Sequence, residues 1–295
     1  MSKNTQKYGY FKGKQRYKCN KCGKQFLVTD RLNKDTIWQL YTEGKQTYSQ
    51  LAEKFGCSAK TIQRHIDKIQ VERQSHFEAA ANVLMDTTYF GRTFGVMVFK
   101  DSISGKFLLK KYVKQETNKL YKEGIEEISR RGISVQAIIC DGRKGLFAMF
   151  GNVPMQMCQF HQVAIITRYL TRKPKMLAGI ELRVLSLTLT KMNKIAFIGQ
   201  LEGWYYIWES YLKERTTSAT TGKTHYKHKR LRSAYFSLKR NLKWLYTYED
   251  YKELMIPNTT NALDGEFSDL KNKLRNHNGL NIERKKKFID GFFEA

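Results

Sequence analysis

The rhythm of hydrophobic positions changes several times along the chain. Between 82 and 113, β-branched and apolar residues come in runs at 82–88, 93–100 and 106–113. The turn-rich Asp101-Ser102-Ile103-Ser104-Gly105 separates the last two, and the pattern predicts three strands. Over 116–131 the period becomes helical, with Leu120, Ile125 and Ile128 toward a core. Residues 134–140 and 155–160 read as further strands, so the predicted order is βββαβαβ. A long helical stretch from about 162 to 250 follows, then a last helix over 262–275. Upstream, 32–70 read as helical, and 8–27 are short, basic and aromatic.

Within the upstream helices, residues 47–66 carry the pattern of a helix-turn-helix. Ala52 is small where two helices must approach, Gly56 stands where the turn needs a positive φ, and Ser58 can cap the second helix. Leu51, Phe55, Ile62 and Ile66 make the inner face, leaving Lys60, Gln63, Arg64 and Asp67 outward, toward a major groove if this is a recognition helix. Ile37, Trp38, Leu40 and Tyr41 would complete a three-helix unit. The bland alternative is a small helical bundle with no nucleic-acid role.

Two of the strand runs end on a carboxylate: Asp86 follows Asn82-Val83-Leu84-Met85, and Asp141 follows Ala137-Ile138-Ile139-Cys140. A charge beside such apolar runs has a cation or a proton to manage. Charge composition sharpens this. The 295 residues include 53 Lys and Arg against 27 Asp and Glu, a net charge of +26 spread along the whole chain. Such a surface binds nucleic acid with counterion release. Carboxylates within it point to divalent metal presented to a polyanion, hence to phosphoryl transfer on nucleic acid. Two Mg²⁺ ions about 4 Å apart clamp the attacking and leaving oxygens of an in-line displacement. A third acid should come from a later helix, where Asp264, Glu266 and Asp269 offer themselves. Leu263, Phe267, Leu270 and Leu274 form that helix's core stripe, with Asp264 and Glu266 on opposite edges. Asp264 also reads as part of a capping box with Asn261, so spacing alone leaves the choice open.

These residues, in order, carry a resemblance: Asp86-Thr87-Thr88, Cys140-Asp141-Gly142, Cys158-Gln159-Phe160-His161, Thr259-Thr260-Asn261-Ala262-Leu263-Asp264-Gly265, and the run from Leu270 to Leu280. From Asp86 to about Gly279 the chain resembles the DDE transposases of bacterial insertion sequences in the Mutator-like (MULE) superfamily, in the variant with an N-terminal zinc-binding segment. The resemblance implies an α/β chain with an RNase H-like catalytic core, interrupted by a helical insertion before the last acid. It implies Mg²⁺-dependent DNA cleavage and strand transfer, with Mn²⁺ able to substitute, at terminal inverted repeats. By motif match Asp86, Asp141 and Asp264 are the metal-holding acids, Asp264 standing where much of the superfamily has Glu; Glu266 is kept as the alternative. Cys158 and His161 match a Cys-x-x-His signature and would shape the active site. The partners implied are the inverted repeats and target DNA, bound by a homodimer or higher oligomer. The rival readings are a non-catalytic or domesticated helix-turn-helix regulator, and a metal nuclease of the same fold that cleaves without joining.

The expected division is a partial zinc ribbon at 1–28, an all-α helix-turn-helix domain at 29–75, the first part of the core at 80–161, the helical insertion at 162–255, and the last catalytic helix with the C-terminal segment at 256–295. Cys19 and Cys22 look like the second half of a ribbon, but a tetrahedral Zn²⁺ needs four ligands. The missing pair would fall at or before Met1. Either the chain starts inside the ribbon, or half the ligands are lost and these are free thiols. Arg143 and Lys144 are placed either to ground a phosphate or as solvated helix-start residues. Lys227, Lys229 and Arg230 belong to the densest basic run, interleaved with aromatics on to Trp244, which suits a DNA backbone and an unpaired base. Trp204 and Trp208 read as core of the insertion, with base stacking as the alternative. No apolar run reaches about 18 residues, and the first residues lack a signal-peptide core. Five scattered cysteines make no disulfide framework. A cytoplasmic, nucleoid-associated protein is expected.

Overall fold

The computed structural model describes residues 4–27, 32–71 and 79–294. They fall into two compact units, drawn from Met1–Glu72 with Asn272–Phe293, and from Arg73–Lys271 with Glu294.

The first unit opens with an antiparallel sheet in the order β1 (Thr5–Phe11), β2 (Lys14–Cys19), β3 (Gln25–Leu27). Three helices follow: α1 (Lys34–Thr42), α2 (Tyr48–Lys54) and α3 (Ala59–Asp67). Each starts on a side-chain cap. Asn33 accepts from Asp35 and Thr36, Thr47 forms a capping box with Gln50, and Ser58 accepts from Thr61. Gly56 turns the chain between α2 and α3 at φ +61°. Ile37, Tyr41, Leu51, Ile62 and Ile66 are buried between the helices.

The second unit is built on a five-stranded mixed sheet of β4 (Ala80–Phe90), β5 (Phe94–Asp101), β6 (Phe107–Val113), β7 (Ser134–Cys140) and β8 (Met155–Met157), in the order β6-β5-β4-β7-β8. The first three strands are antiparallel; β4, β7 and β8 are parallel. Helix α4 (Asn118–Arg130) crosses from β6 to β7. It packs on one face of the sheet, where Thr87 bonds Tyr121 at 2.9 Å and Phe99 fills the space a side chain at Gly124 would need. Between β7 and β8 there is only a 3₁₀ turn, Phe147–Met149, where the sequence pattern predicts a helix. β8 is also shorter than its apolar run, because Gln159 and Phe160 already belong to the next helix.

The long helical stretch resolves into α5 (Gln159–Leu170), α6 (Leu177–Leu187), α7 (Lys194–Lys213), α8 (Lys229–Leu245) and α9 (Thr247–Asp250). It is interrupted by an unforeseen hairpin of β9 (Arg215–Thr217) and β10 (Thr224–Tyr226). Buried glutamines lock α8 to β8 and α5. Gln156 and Gln159 both donate to the carbonyl of Leu245, and Gln162 bonds Ser237 and Asn241. Trp204 and Trp208 are structural: Trp204 is stacked on Tyr235, and Trp208 donates to Glu181. Helix α10 (Asn261–Arg275) covers the sheet face opposite α4, burying Leu263, Phe267 and Leu270. A further helix beyond the predicted last one, α11 (Ile282–Phe293), belongs to the first unit. Its Phe288 meets Tyr41 edge-on, its Gly291 lies against Trp38, and its Arg284 pairs with Asp67.

Candidate active site

Strand alternation places Asp86 on the same face as Leu84 and Thr88, opposite the face that carries Thr87 and α4. Asp86 is not at the end of its strand, as the apolar run suggested. β4 continues to Phe90 in a hairpin with β5, where Asp86 pairs with Val98. What ends there is the parallel neighbour: Leu84 is in register with Ile139, and β7 stops at Cys140. Two residues further along that register Asp141 comes beside Asp86. The ladder therefore opens at the place where the two carboxylates stand together, on the face covered by α10.

Electrostatics links a third carboxylate to this pair. Asp86 is held up at about 7, first by burial, with Asp141 and Asp264 adding repulsion; the N–H of Thr87, donating at 2.7 Å, and His161 act against it. Asp86, Asp141, Asp264 and His161 thus share one electrostatic neighbourhood. Glu266 is outside it. Its carboxylate accepts from Lys100 at 2.7 Å, and Lys100 is buried on β5 with its ammonium over the Phe107 ring. The two edges of α10 therefore carry different roles: Asp264 faces the acids and Glu266 neutralises a buried lysine.

The Cys158/His161 pair ties these elements together. Cys158 precedes α5 and is fully buried. Its Sγ accepts from the backbone N–H of Thr260 at 3.3 Å, immediately before α10. His161 is pushed up to about 9, first by its hydrogen bond to Cys158 and also by Asp86 and Asp264. Burial alone would push the Cys158 thiol up, but hydrogen bonds from His161 and Thr260 bring it below its ordinary value. Gln159 and Asn258 add a backbone bond of 3.0 Å and a side-chain bond of 3.1 Å. The start of α10, and with it Asp264, is thus anchored on the β8–α5 junction.

The donor set fits a hard divalent cation. Three carboxylates supply oxygen ligands of the kind Mg²⁺ takes, and Asp86 bears a charge that its own surroundings leave under-compensated. Among the described residues no three His, Cys, Asp or Glu side chains are drawn into ligating contact. The acids stand in electrostatic rather than coordinating range. At the N-terminal end, Cys19 and Cys22 flank a turn in which Gly23 donates to the Cys19 carbonyl, and N–H groups of Cys22 and Lys21 lower the Cys19 thiol. Two thiols alone are half of a tetrahedral set.

The remaining expected residues have their own surroundings. On α3, Lys60 and Arg64 are exposed and Gln63 is half-buried, whereas Asp67 is taken by Arg284 and Lys287. Lys227 pairs with Glu214, Arg230 donates to the Arg168 carbonyl, and Lys229 is exposed. Arg143, just after Asp141, is turned back onto Glu116 and Asn118, while Lys144 is exposed. Thr260 and Lys100 had no assigned role in the sequence. For Lys100 the legible signal was a lysine inside a strand that is buried throughout.

No protein-family profile matches the sequence, and no curated protein matches it. Among solved structures the chain is similar to a Drosophila P element transposase strand transfer complex, at TM-score 0.34 and 12% identity over 83% of this chain and 81% of that one. It is also similar to the Mos1 strand transfer complex, at TM-score 0.20 and 9% identity over 75% and 79%. A simian T-cell lymphotropic virus intasome in complex with PP2A regulatory subunit B56 gamma gives TM-score 0.24 and 10% identity over 70% and 66%. Among the described residues no helix is long and apolar enough to cross a membrane.

Proposed function

We propose that the protein is a DDE-type DNA transposase with an RNase H-like core, in which Asp86, Asp141 and Asp264 form the catalytic acids. The observation that carries this reading is the electrostatic coupling of Asp86 to Asp141 and Asp264 near the end of β7, in a chain of net charge +26. Asp86, Asp141 and Asp264 would hold Mg²⁺, which when bound supplies Lewis-acid activation of the attacking hydroxyl and stabilisation of the leaving oxygen. The chain's own groups prepare that site. Burial keeps Asp86 poised near neutrality, the Thr87 N–H fixes its carboxylate, and protonated His161 offsets the mutual repulsion of Asp86 and Asp264. Cys158 and Thr260 set the position of the helix that carries Asp264.

In the same reading, Lys60, Gln63 and Arg64 of α3 contact the terminal inverted repeats, and Lys227, Lys229 and Arg230 meet phosphates. A homodimer or higher oligomer would hold two ends together. The test is strand transfer by the purified protein on labelled duplex carrying the inverted repeats that flank its gene, with Mg²⁺ or Mn²⁺. Joined products support a transposase. Cleaved but unjoined ends identify a nuclease, and binding without cleavage identifies a regulator.

A further inference from the structure

Beside the acids, the loop that follows Asp141 forms one wall of a cavity of about 770 Å³. Helix α5 provides a second wall through Arg168 and Tyr169, and α8 a third through Arg240, Lys243 and Trp244. Two smaller hollows continue from it, of about 330 Å³ and 550 Å³, and Tyr169 lines all three. The outermost reaches Lys173, Lys175 and Lys229 beside the β9–β10 hairpin. Across the three hollows eleven Lys and Arg side chains take part in the lining, and no Asp or Glu does. In a chain with 27 acidic residues, that separation of charge marks a path for a polyanion.

The inner end has more than charge. Trp244 packs on Phe147 with ring centroids 4.5 Å apart, and the exposed Lys243 lays its ammonium over the Trp244 ring at 4.3 Å. A flexible cation resting on a half-buried aromatic face can swing aside to a phosphate and yield that face to a base. A cavity of this size is that of a small-ligand site: it takes a nucleotide, not a duplex. The walls are pre-formed, because the buried bonds Gln162–Asn241 and Gln156–Leu245 fix α8 against α5 and β8.

We infer that these hollows are a track for a single DNA strand, with an unpaired base seated against Trp244 beside the catalytic acids and its phosphates on Arg168, Arg240 and Lys229. This rests on the transposase reading and adds to it that the DNA at the acids is locally unpaired, with the helical insertion receiving the freed strand. Base-on-ring stacking makes the seat tolerant of sequence, and the cations make it salt-dependent.

The test measures binding of the full chain to a fluorescein-labelled single strand and to the matching duplex, with 2-aminopurine at successive positions reporting stacking. Trp244→Ala is expected to weaken single-strand binding roughly 10-fold or more and to abolish quenching of one 2-aminopurine position, with duplex affinity within about 2-fold. Because Trp244 also packs on Phe147, the exposed pair Arg168→Ala and Arg240→Ala provides an independent check: each should reduce the salt slope for single strands by about 0.7. Unchanged single-strand affinity and salt slope in both exposed variants, with Asp86→Asn still abolishing cleavage, would overturn the track and leave the transposase reading standing. Loss of single-strand binding in these variants of a protein that never cleaves would keep the track and remove the transposase reading.

Discussion

The backbone N–H of Thr260 donates to the sulfur of Cys158 at 3.3 Å. One residue after Thr260 the helix that carries Asp264 begins. The bond therefore joins the helix of Asp264 to the end of β8, in the same sheet that carries Asp86, between residues 102 positions apart in the chain. His161, bonded to Cys158 and electrostatically coupled to Asp86 and Asp264, stands at the same junction. The Cys158/His161 pair thus ties the start of the helix that carries Asp264 to the β8–α5 junction.

Cys158→Ala removes the acceptor and should slow single-turnover cleavage roughly 10- to 100-fold, the usual cost of losing a group that orients a metal ligand. Duplex affinity should be unchanged, and Cys158→Ser should recover part of the rate because a hydroxyl still accepts the Thr260 N–H. Equal rates for the Ala variant and the parent would show that the junction does not position the acid.

Glu266 and Asp264 should separate cleanly by their phenotypes. Glu266→Gln leaves the Lys100 ammonium buried with a weakened partner and should cost about 2–4 kcal/mol of stability in denaturant melts. Lys100→Met together with Glu266→Gln should restore most of it, since no buried charge is then left. Asp264→Asn should abolish cleavage with little loss of stability.

The pH dependence follows from Asp86. Its folded value of about 7 lies above its ordinary 3.8. Between those values the folded protein holds a proton the unfolded chain has released, so this group's contribution to stability falls as pH rises through that window. Asp86→Asn should therefore be more stable than the parent at pH 8, by roughly 2–4 kcal/mol, with the gap closing toward pH 4. Mg²⁺ at pH 8 should raise the parent's Tm and leave that of Asp86→Asn unmoved.

Close approaches should be intolerant of a methyl group. An added Cβ at Gly124 would lie 2.0 Å from the Phe99 ring, and one at Gly291 2.2 Å from Trp38. Each Gly→Ala change should lower stability by about 1–3 kcal/mol, measurable by urea melts.

The strands of the second unit and its acids could be read in the sequence because burial on both faces leaves continuous apolar runs, against which Asp86 and Asp141 stand out. The turn between α2 and α3 and the cap of α3 could be read because Gly56 and Ser58 act locally. The hairpin β9–β10 could not: its strands, Arg215–Thr217 and Thr224–Tyr226, are polar and largely exposed and carry no alternation. Helix α11 was hidden by the run Arg284-Lys285-Lys286-Lys287, and its burial depends on Tyr41 and Trp38 far upstream. The separation of Asp264 from Glu266 was illegible for a related reason. Both edges of α10 look alike until Lys100, 166 residues from Glu266, claims one of them.

The most direct test is metal-dependent nicking of a labelled duplex carrying the element ends by the parent protein, Asp86→Asn, Asp141→Asn, Asp264→Asn and Glu266→Gln, each at matched folded concentration. Cleavage in Mg²⁺ or Mn²⁺ is expected from the parent and from Glu266→Gln, and none above background from the three Asp variants. Cleavage that survives Asp264→Asn and is lost in Glu266→Gln with the fold intact would contradict that expectation.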